Sequence, residues 1–521
     1  MRVNARAEPT AGSASTSGAP TLPGQNLRAE GFRLLLVAYQ CGPALGSVSQ
    51  LGWHWFTGLS TRHPVCLVTH QRNRSAIEAA SNPALEPSTE RVNTEQVNKE
   101  RVNAEHLKPA HTPIPGGRIV YIDTEWFAGP LYRLARWCFP RSDHAVFMIS
   151  QLDWFVFDAF ALRRLRREIA AGERWSLLHV VTPITTAAPT RLHRLGLPVV
   201  RGPLNCGLGI PPGFKRWMRA DAMGLSRARI LARLLETAIG SLRRSARVLV
   251  ASAATLSALP PSARAHAVRM IENAVDSELF FPATGAPESA SPTTDKPPIT
   301  RAIQRTPQQP PQQPPQQPPR GPLRIVFVGR LVPFKALPLL LGAMARLRAQ
   351  GIPSQLEVVG DGPMAQPWRT EANALALGPW VRWRGSLAPA EVAETMRRAD
   401  VFCLPSIRES GGAVLLEAMA CGLPVIAMNF GGPAEVLSEA VGWKIAMPNE
   451  LAAIDGIAQA LRAVYQDPEG AKARGAQGRR EVLRKHTWKA KLDAAERLYE
   501  EVLLNPLQGA VAASRPPEFA R

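Results

Sequence analysis

Short, nearly continuous apolar runs recur along this chain, separated by stretches whose apolar residues fall at helical spacing. In the first half, "FRLLLVAY", "HPVCLVTH", "GRIVYID", "WSLLHVVT", "LPVVRGP" and "ARVLVAS" read as buried strands, and "LARLLETAIGSLRRSA" as the clearest helix. In the second half the alternation is cleaner. Strand "LRIVFVG" leads to helix "LPLLLGAMARLRAQ", strand "QLEVVG", a helix, and strand "WVRWRG". Helix "AEVAETMRRA", strand "DVFCLPS", helix "AVLLEAMACG" and strand "PVIAM" follow. Strands apolar on both faces that alternate with helices belong to parallel sheets covered on both sides. The pattern predicts an α/β chain of two doubly wound, Rossmann-like domains, with ligands at the carboxyl ends of the strands.

Two low-complexity segments set the domain boundaries. "TERVNTEQVNKERVNAEH" repeats a polar five-residue unit and marks a surface insert at about residues 72–117 with no core of its own. "RTPQQPPQQPPQQPPRGP" favours extended polyproline conformations and reads as a semi-rigid spacer. The expected organisation is a disordered tail at 1–30, an N-terminal domain at 31–283 carrying the insert, and a linker at 284–322. A C-terminal domain at 323–485, a helix at 486–505 packing back toward the N-terminal domain, and a tail at 506–521 complete it.

Charge changes the picture more than overall composition does. Lys and Arg number 62 against 42 Asp and Glu, a net charge of +20, which points to an anionic partner. The Arg-rich helices, such as "LRRLRRE", lack the interleaved aromatics of a nucleic-acid surface, so a solvated or membrane-facing role fits better. Cys41, Cys66, Cys138, Cys206, Cys403 and Cys421 form no CxxC pair and no zinc spacing, and read as reduced, buried thiols of a cytosolic protein. The longest apolar candidate, "AVFMISQLDWFVFDAFALRRLRR", is broken by Gln151, Asp153 and Asp158 before it could span a membrane. The first 30 residues contain no apolar signal-peptide core.

Candidate chemistry gathers after the strands of the second half. "FVGRLVPFK" puts Arg330 and Lys335 after its first strand, "VVGDGP" puts Gly360 and Gly362 after the next, and "LPSIRESGG" puts Glu409, Gly411 and Gly412 before a helix. Glycines at a helix N-terminus let amides approach an anion, and the two cations add charge suited to a diphosphate. Glu417 lies on a helix that is apolar nearly all round, so its carboxylate needs a partner or a ligand. A diol such as ribose would suit it. Taken singly, Arg330 and Lys335 fit solvated charges equally well, and "GDG" a plain turn. Neither GxGxxG nor a P-loop is present.

The run "VGRLVPFK…VVGDGP…DVFCLPSIRESGGAVLLEAMACGLPVIAMNFGGPAEV" resembles the C-terminal domain of retaining family 4 glycosyltransferases (glycosyl transferases group 1), over about residues 323–505. "ESGGAVLLE" matches the family's E-x7-E motif. "AYQCGPALGSVSQLGWHW", "LGLPVVRGPLNCGLGIPP" and "IENAVDSELFFP" resemble a branch of the family more loosely. Val48 stands where that branch has Glu, and Asn205, Cys206 and Ala274 replace glycines; these departures bear on the acceptor-facing half.

The resemblance implies the GT-B fold, with two Rossmann-like domains facing across a cleft. It implies a retaining hexosyltransferase that takes a UDP- or GDP-sugar donor and a sugar or lipid-linked acceptor, in cell-surface polysaccharide or glycolipid synthesis. Arg330 and Lys335 would hold the diphosphate, Gly360, Gly362, Gly411 and Gly412 would line the donor site, and Glu417 would hold the ribose. Glu409 and His179 would be catalytic, and Gly46 and Ser47 would form an acceptor or phosphate loop. No metal, no cofactor and no nucleic acid is expected. The expected location is cytoplasmic and peripheral at the inner face of the cell membrane, with an anionic membrane surface as a further partner. The other readings are a sugar-nucleotide epimerase of the same fold, and a basic nucleic-acid- or membrane-binding protein without catalysis. An epimerase needs acid and base groups facing the sugar, and none is evident.

Overall fold

The computed structural model describes residues 32–43, 47–81, 117–139, 146, 149–218, 233–283 and 321–504. The N-terminal domain contains β1 (Leu34–Ala38), α1 (Ser47–Ser60), β2 (Val65–His70), α2 (Arg74–Ser81), β3 (Gly117–Ile122), α3 (Glu125–Cys138) and α4 (Asp153–Ala170). It continues through β4 (Leu177–Thr182), β5 (Val199–Leu204), β6 (Arg247–Val250), α5 (Ala253–Ala258), α6 (Pro261–Arg264) and β7 (Ala267–Arg269). The C-terminal domain contains β8 (Leu323–Val328), α7 (Leu337–Ala349), β9 (Ser354–Val359), α8 (Ala365–Ala374), β10 (Val381–Gly385), α9 (Pro389–Arg397) and β11 (Val401–Leu404). Then come α10 (Ala413–Ala420), β12 (Val425–Met428), α11 (Gly431–Val436), β13 (Gly442–Ile445), α12 (Glu450–Gln466), α13 (Pro468–Lys485) and α14 (Trp488–Leu504).

Both sheets are parallel. Their orders are β3-β2-β1-β4-β5-β6-β7 and β10-β9-β8-β11-β12-β13. Each reverses direction once, between β1 and β4 and between β8 and β11, and such a switch point opens a crevice at the strands' carboxyl ends.

The apolar runs explain the layers. Every residue of β1 is buried, and alternate side chains serve opposite faces. Leu34 and Leu36 pack with Trp55, Phe56 and Leu59 of α1, while Leu35 and Val37 pack with Trp154 and Phe157 of α4. Asp153 and Asp158, which interrupt the longest apolar run, are buried and paired. Asp153 accepts from Tyr39 Oη at 2.8 Å, Thr124 Oγ1 at 2.7 Å and Arg72 Nη2 at 2.9 Å. Asp158 accepts from Thr190 Oγ1 at 2.6 Å and Arg191 Nε at 2.8 Å. Paired in this way, the two carboxylates avoid the cost of a bare buried charge.

The last helix belongs to the C-terminal half of the chain but completes the N-terminal core. Leu492, Ala495, Leu498, Tyr499 and Val502 of α14 recur every three or four residues and join the cluster around Leu34 and Leu36. The two segments that cross between domains touch each other, Val275 N donating to His486 O at 2.9 Å.

The fold differs from the sequence expectation in several places. β7 and β13 were not anticipated, because "AVR" and "GWKI" are short sheet-edge strands without an apolar run. The "LARLLETAIGSLRRSA" helix is described only for residues 233–239. It stops at Gly240 (φ 66°), where the Glu236 carboxylate accepts from Leu242 N at 2.6 Å and Ser241 Oγ at 2.6 Å. Part of the expected insert is ordered: Gln71–Asn73 is a 3-10 turn and α2 follows, with Asn73 and Ile77 buried. Residues 82–116, the linker at 284–320 and the tails at 1–31 and 505–521 lie outside the described residues. Of the cysteines, Cys138 is exposed and Cys206 half-buried; the other four are buried.

Candidate active site

The C-terminal crevice brings together most of the residues singled out in the second half. β8 ends at Val328, and the chain turns through Gly329 and Arg330 to a 3-10 turn at Pro333–Lys335. β11 ends at Leu404 and leads through Glu409 to α10. Ile407 N donates to Phe334 O at 2.9 Å, tying the two loops across the switch point. There Lys335 Nζ meets Glu409 Oε2 at 2.5 Å, both side chains largely buried. Arg330 is exposed, with no side-chain partner among the described residues. Gly412 (φ 54°) is the N-cap of α10, so only a residue tolerant of the left-handed region starts this helix cleanly.

Glu417 is half-buried on α10, and its neighbours Leu415, Leu416, Ala418 and Met419 are buried. Among the described residues its carboxylate has no hydrogen-bond or ionic partner, and burial pushes its pKa up to about 7. Gly360 (φ 128°) and Gly362 (φ 157°) are positioned by backbone packing. A Cβ at either would collide with the carbonyl oxygen of Gly329 or Leu331, so these glycines let the β9 loop lie against the β8 loop.

A second glycine pair, not singled out from the sequence, backs the Glu409 turn. Gly432 N donates to Glu409 O at 2.9 Å, and a Cβ on Gly431 or Gly432 would strike the Glu409 or Ser410 carbonyl. The signal was present as "FGG" between strand and helix, but only the three-dimensional contact gives it meaning.

His179 does not reach this crevice. It lies within β4, fully buried, and edges onto Trp55 with ring centroids 5.0 Å apart. Its Nε2 donates to Gly202 O at 2.7 Å and its Nδ1 accepts from Tyr499 Oη at 2.7 Å. Burial pushes its pKa down to about 4. In this structure it is a core histidine whose two nitrogens are both satisfied. Ser47 is the first residue of α1, and Gly46 lies outside the described residues.

The N-terminal domain presses on the crevice from the other side. Phe214, in the segment after β5, is fully buried in the C-terminal domain's core beside Leu331, Ala336 and Ile407. Trp217 Nε1 donates to Glu450 Oε1 at 2.6 Å, and Glu435 of α11 accepts from Ala253 N at 2.7 Å. Asn205 and Glu272 meet at 2.9 Å, with Glu272 against Gly411.

Two facing Rossmann-like domains with a crevice at the switch point of the second define the GT-B fold. Solved structures agree. Sucrose-phosphate synthase from Thermosynechococcus elongatus is 19% identical with a TM-score of 0.52, the match covering 90% of this chain and 99% of that one. Anabaena HepE in complex with UDP is 14% identical with a TM-score of 0.51, over 90% and 99% of the two chains. Residues 308–481 match the family model "Glycosyl transferases group 1". The gpi3 subunit of phosphatidylinositol N-acetylglucosaminyltransferase from Schizosaccharomyces pombe is 30% identical over 180 residues, 34% of this chain and 38% of that protein. A GDP-mannose-dependent monoacylated alpha-(1-6)-phosphatidylinositol monomannoside mannosyltransferase from Corynebacterium glutamicum is 32% identical over 166 residues, 30% and 42% of the two. The chain thus spans about two fifths of the length of these curated relatives. Its C-terminal domain is a group 1 glycosyl transferase domain.

Proposed function

We propose that the chain is a retaining hexosyltransferase that moves a sugar from a UDP- or GDP-sugar to a sugar or lipid-linked acceptor. The observation that carries this reading is the crevice between β8 and β11. An open arginine, a Lys335–Glu409 pair and a glycine-led helix start lie there, and the same helix carries the unpartnered Glu417. Arg330, Lys335 and the amides at Gly411 and Gly412 would counter the diphosphate's charge, without a metal. Glu417 would accept from the ribose hydroxyls. The acceptor hydroxyl oxygen attacks the anomeric carbon on the face that the diphosphate leaves. The bond from carbon to diphosphate oxygen breaks, and that oxygen takes the acceptor's proton. Stabilising the leaving diphosphate lowers the barrier most, and Glu409 orients the sugar while positive charge develops. Thermal melts with UDP-, GDP- and ADP-sugars test the reading. One of them should raise Tm in a manner that Arg330→Ala with Lys335→Ala abolishes, whereas no stabilisation by any would refute it.

The acceptor side has its own support. α3 exposes Trp126 and Trp137, 63% and 80% accessible, with Leu134, and exposed Phe139 follows the helix. Phe160 of α4 lies 6.2 Å from Trp126, and exposed Arg163, Arg164, Arg166 and Arg167 follow it. Aromatic and cationic side chains side by side suit the interface of an anionic bilayer. Among the described residues no helix is long and apolar enough to cross a membrane. Both relatives named above act on phosphatidylinositol lipids, by their names, which supports a glycolipid or other lipid-linked acceptor presented at the inner face of a membrane. Salt-sensitive sedimentation with anionic vesicles, and none with neutral ones, is the expected result.

A further inference from the structure

The segment joining β7 to the second domain carries a carboxyl group that the reaction above does not use. Glu272 is 4% exposed, and Oε2 is buried with no hydrogen-bond partner among the described residues. Its Oε1 accepts from Asn205 Nδ2 at 2.9 Å. Asn205 immediately follows β5, at a position where the resembling branch has glycine. Across the domain boundary Glu272 faces Gly411, where a Cβ would collide with the carboxyl and with Asn273. Gly411 sits between the Glu409 turn and the Gly412 cap of α10.

The backbone beneath Glu272 is fixed. Lys491 of α14 is 5% exposed and donates through Nζ to the carbonyls of Ile271, Glu272 and Asn273 at 2.5, 2.6 and 2.8 Å. α14 is itself part of the N-terminal core. The carboxyl thus stands on a rigid support in one domain and bears on the donor loop of the other.

We propose that Glu272, held by Asn205, is a positioning residue. It presses on Ser410–Gly411 from the opposite domain and sets the turn that presents Glu409 and the N-terminus of α10. This rests on the donor-site reading. It adds that closure of the two domains is felt at the donor loop through one side chain. Burial, and after it the Glu409 charge, pushes its pKa up, while its own backbone amide, the Lys491 ammonium and a Ser410 hydrogen bond act in the other direction. A neutral amide of the same shape would keep the Asn205 contact and carry no charge. At Gly411 itself any larger residue would displace Glu272, so the glycine and the glutamate form a matched pair across the interface.

The test is hydrogen exchange of the full-length chain, read on peptides covering residues 405–420, for wild type, Glu272→Gln, Glu272→Ala and Asn205→Gly. The expected result is about tenfold faster exchange in Glu272→Ala, confined to that region, a smaller rise in Asn205→Gly, and near wild-type protection in Glu272→Gln. Unchanged exchange in Glu272→Ala would overturn the proposal, as would acceleration spread evenly over both domains. Failure of Glu272→Gln to keep protection would show that shape and the Asn205 contact do not hold the turn, and would overturn the proposal. If Glu272→Ala does not fold, Asn205→Gly and Glu272→Gln still decide the matter. A parallel titration with UDP and GDP should show about tenfold weaker binding in Glu272→Ala and recovery in Glu272→Gln. Should wild type bind neither nucleotide, the nucleotide-sugar reading fails, while the exchange data judge Glu272 independently.

Discussion

Replacing Glu417 by Gln should make the ligand-free chain more stable and its nucleotide site worse. The carboxyl is half-buried on an otherwise apolar face, without a partner among the described residues, and burial raises its pKa from 4.5 to about 7. That rise corresponds to about 3 kcal/mol between the protonated and ionised forms. The folded chain holds this proton more tightly than the unfolded chain does. The stability it contributes is therefore fully present below the ordinary glutamate range and is lost as pH rises through about 7. Gln never ionises and escapes the loss. The variant should match wild type near pH 4.5 and exceed it by about 3 kcal/mol at pH 8, a gain of roughly 6–12 °C in the Tm of a domain this size. Binding moves the other way, since losing hydrogen bonds to a charged acceptor, on the order of 1.5–3 kcal/mol, weakens affinity about ten- to a hundredfold. The assay is a set of melts from pH 4.5 to 8 for both proteins, with UDP, GDP and ADP titrations at pH 7.5. A pH-independent difference in Tm together with unchanged nucleotide affinity would refute the reasoning.

Other substitutions separate chemistry from packing. Glu409→Gln should lower kcat about ten- to a hundredfold while donor affinity is largely kept, as initial rates and donor titration would show. Tyr499→Phe leaves His179 Nδ1 without its donor and should cost about 1–3 kcal/mol of stability with kcat unchanged, measured by denaturant unfolding alongside initial rates. Phe214→Ala empties a site in the C-terminal core and should destabilise by about 3–5 kcal/mol, read as a lower Tm of the domain it plugs. Trp126→Ser combined with Trp137→Ser should weaken vesicle binding several-fold without moving Tm, because both side chains are solvent-exposed.

The architecture was readable because parallel strands buried on both faces leave continuous apolar runs, as in "FRLLLVAY" and "DVFCLPS". Two kinds of element were not read: β7 and β13, with three and four residues and no apolar signature, and the long helices α12 and α13 that follow the last apolar strand. The loops around Arg330, Lys335 and Glu409 could be placed at strand ends because each is a local string beside an apolar run. The surroundings of His179 were not legible, for a physical reason. Whether a histidine in a strand faces a cleft or the core depends on what covers that face, and here the cover is α14, more than 300 residues away in sequence. The partners of Asn205, and Glu272 and Lys491 altogether, stayed hidden for the same reason. Their contacts join three distant segments across the domain boundary, and no spacing in the chain announces them.

The central claim is transfer from a nucleotide sugar, and turnover tests it most directly. The chain would be incubated with whichever of the UDP-, GDP- or ADP-sugars stabilises it, with and without a membrane lipid extract as acceptor. Release of nucleoside diphosphate and the anomeric configuration of any product would be followed by NMR. The account predicts diphosphate release that depends on acceptor, with the sugar's configuration retained in the product and activity lost in Glu409→Gln. Turnover of the nucleotide sugar at full rate without acceptor, yielding an epimerised free sugar, would contradict it.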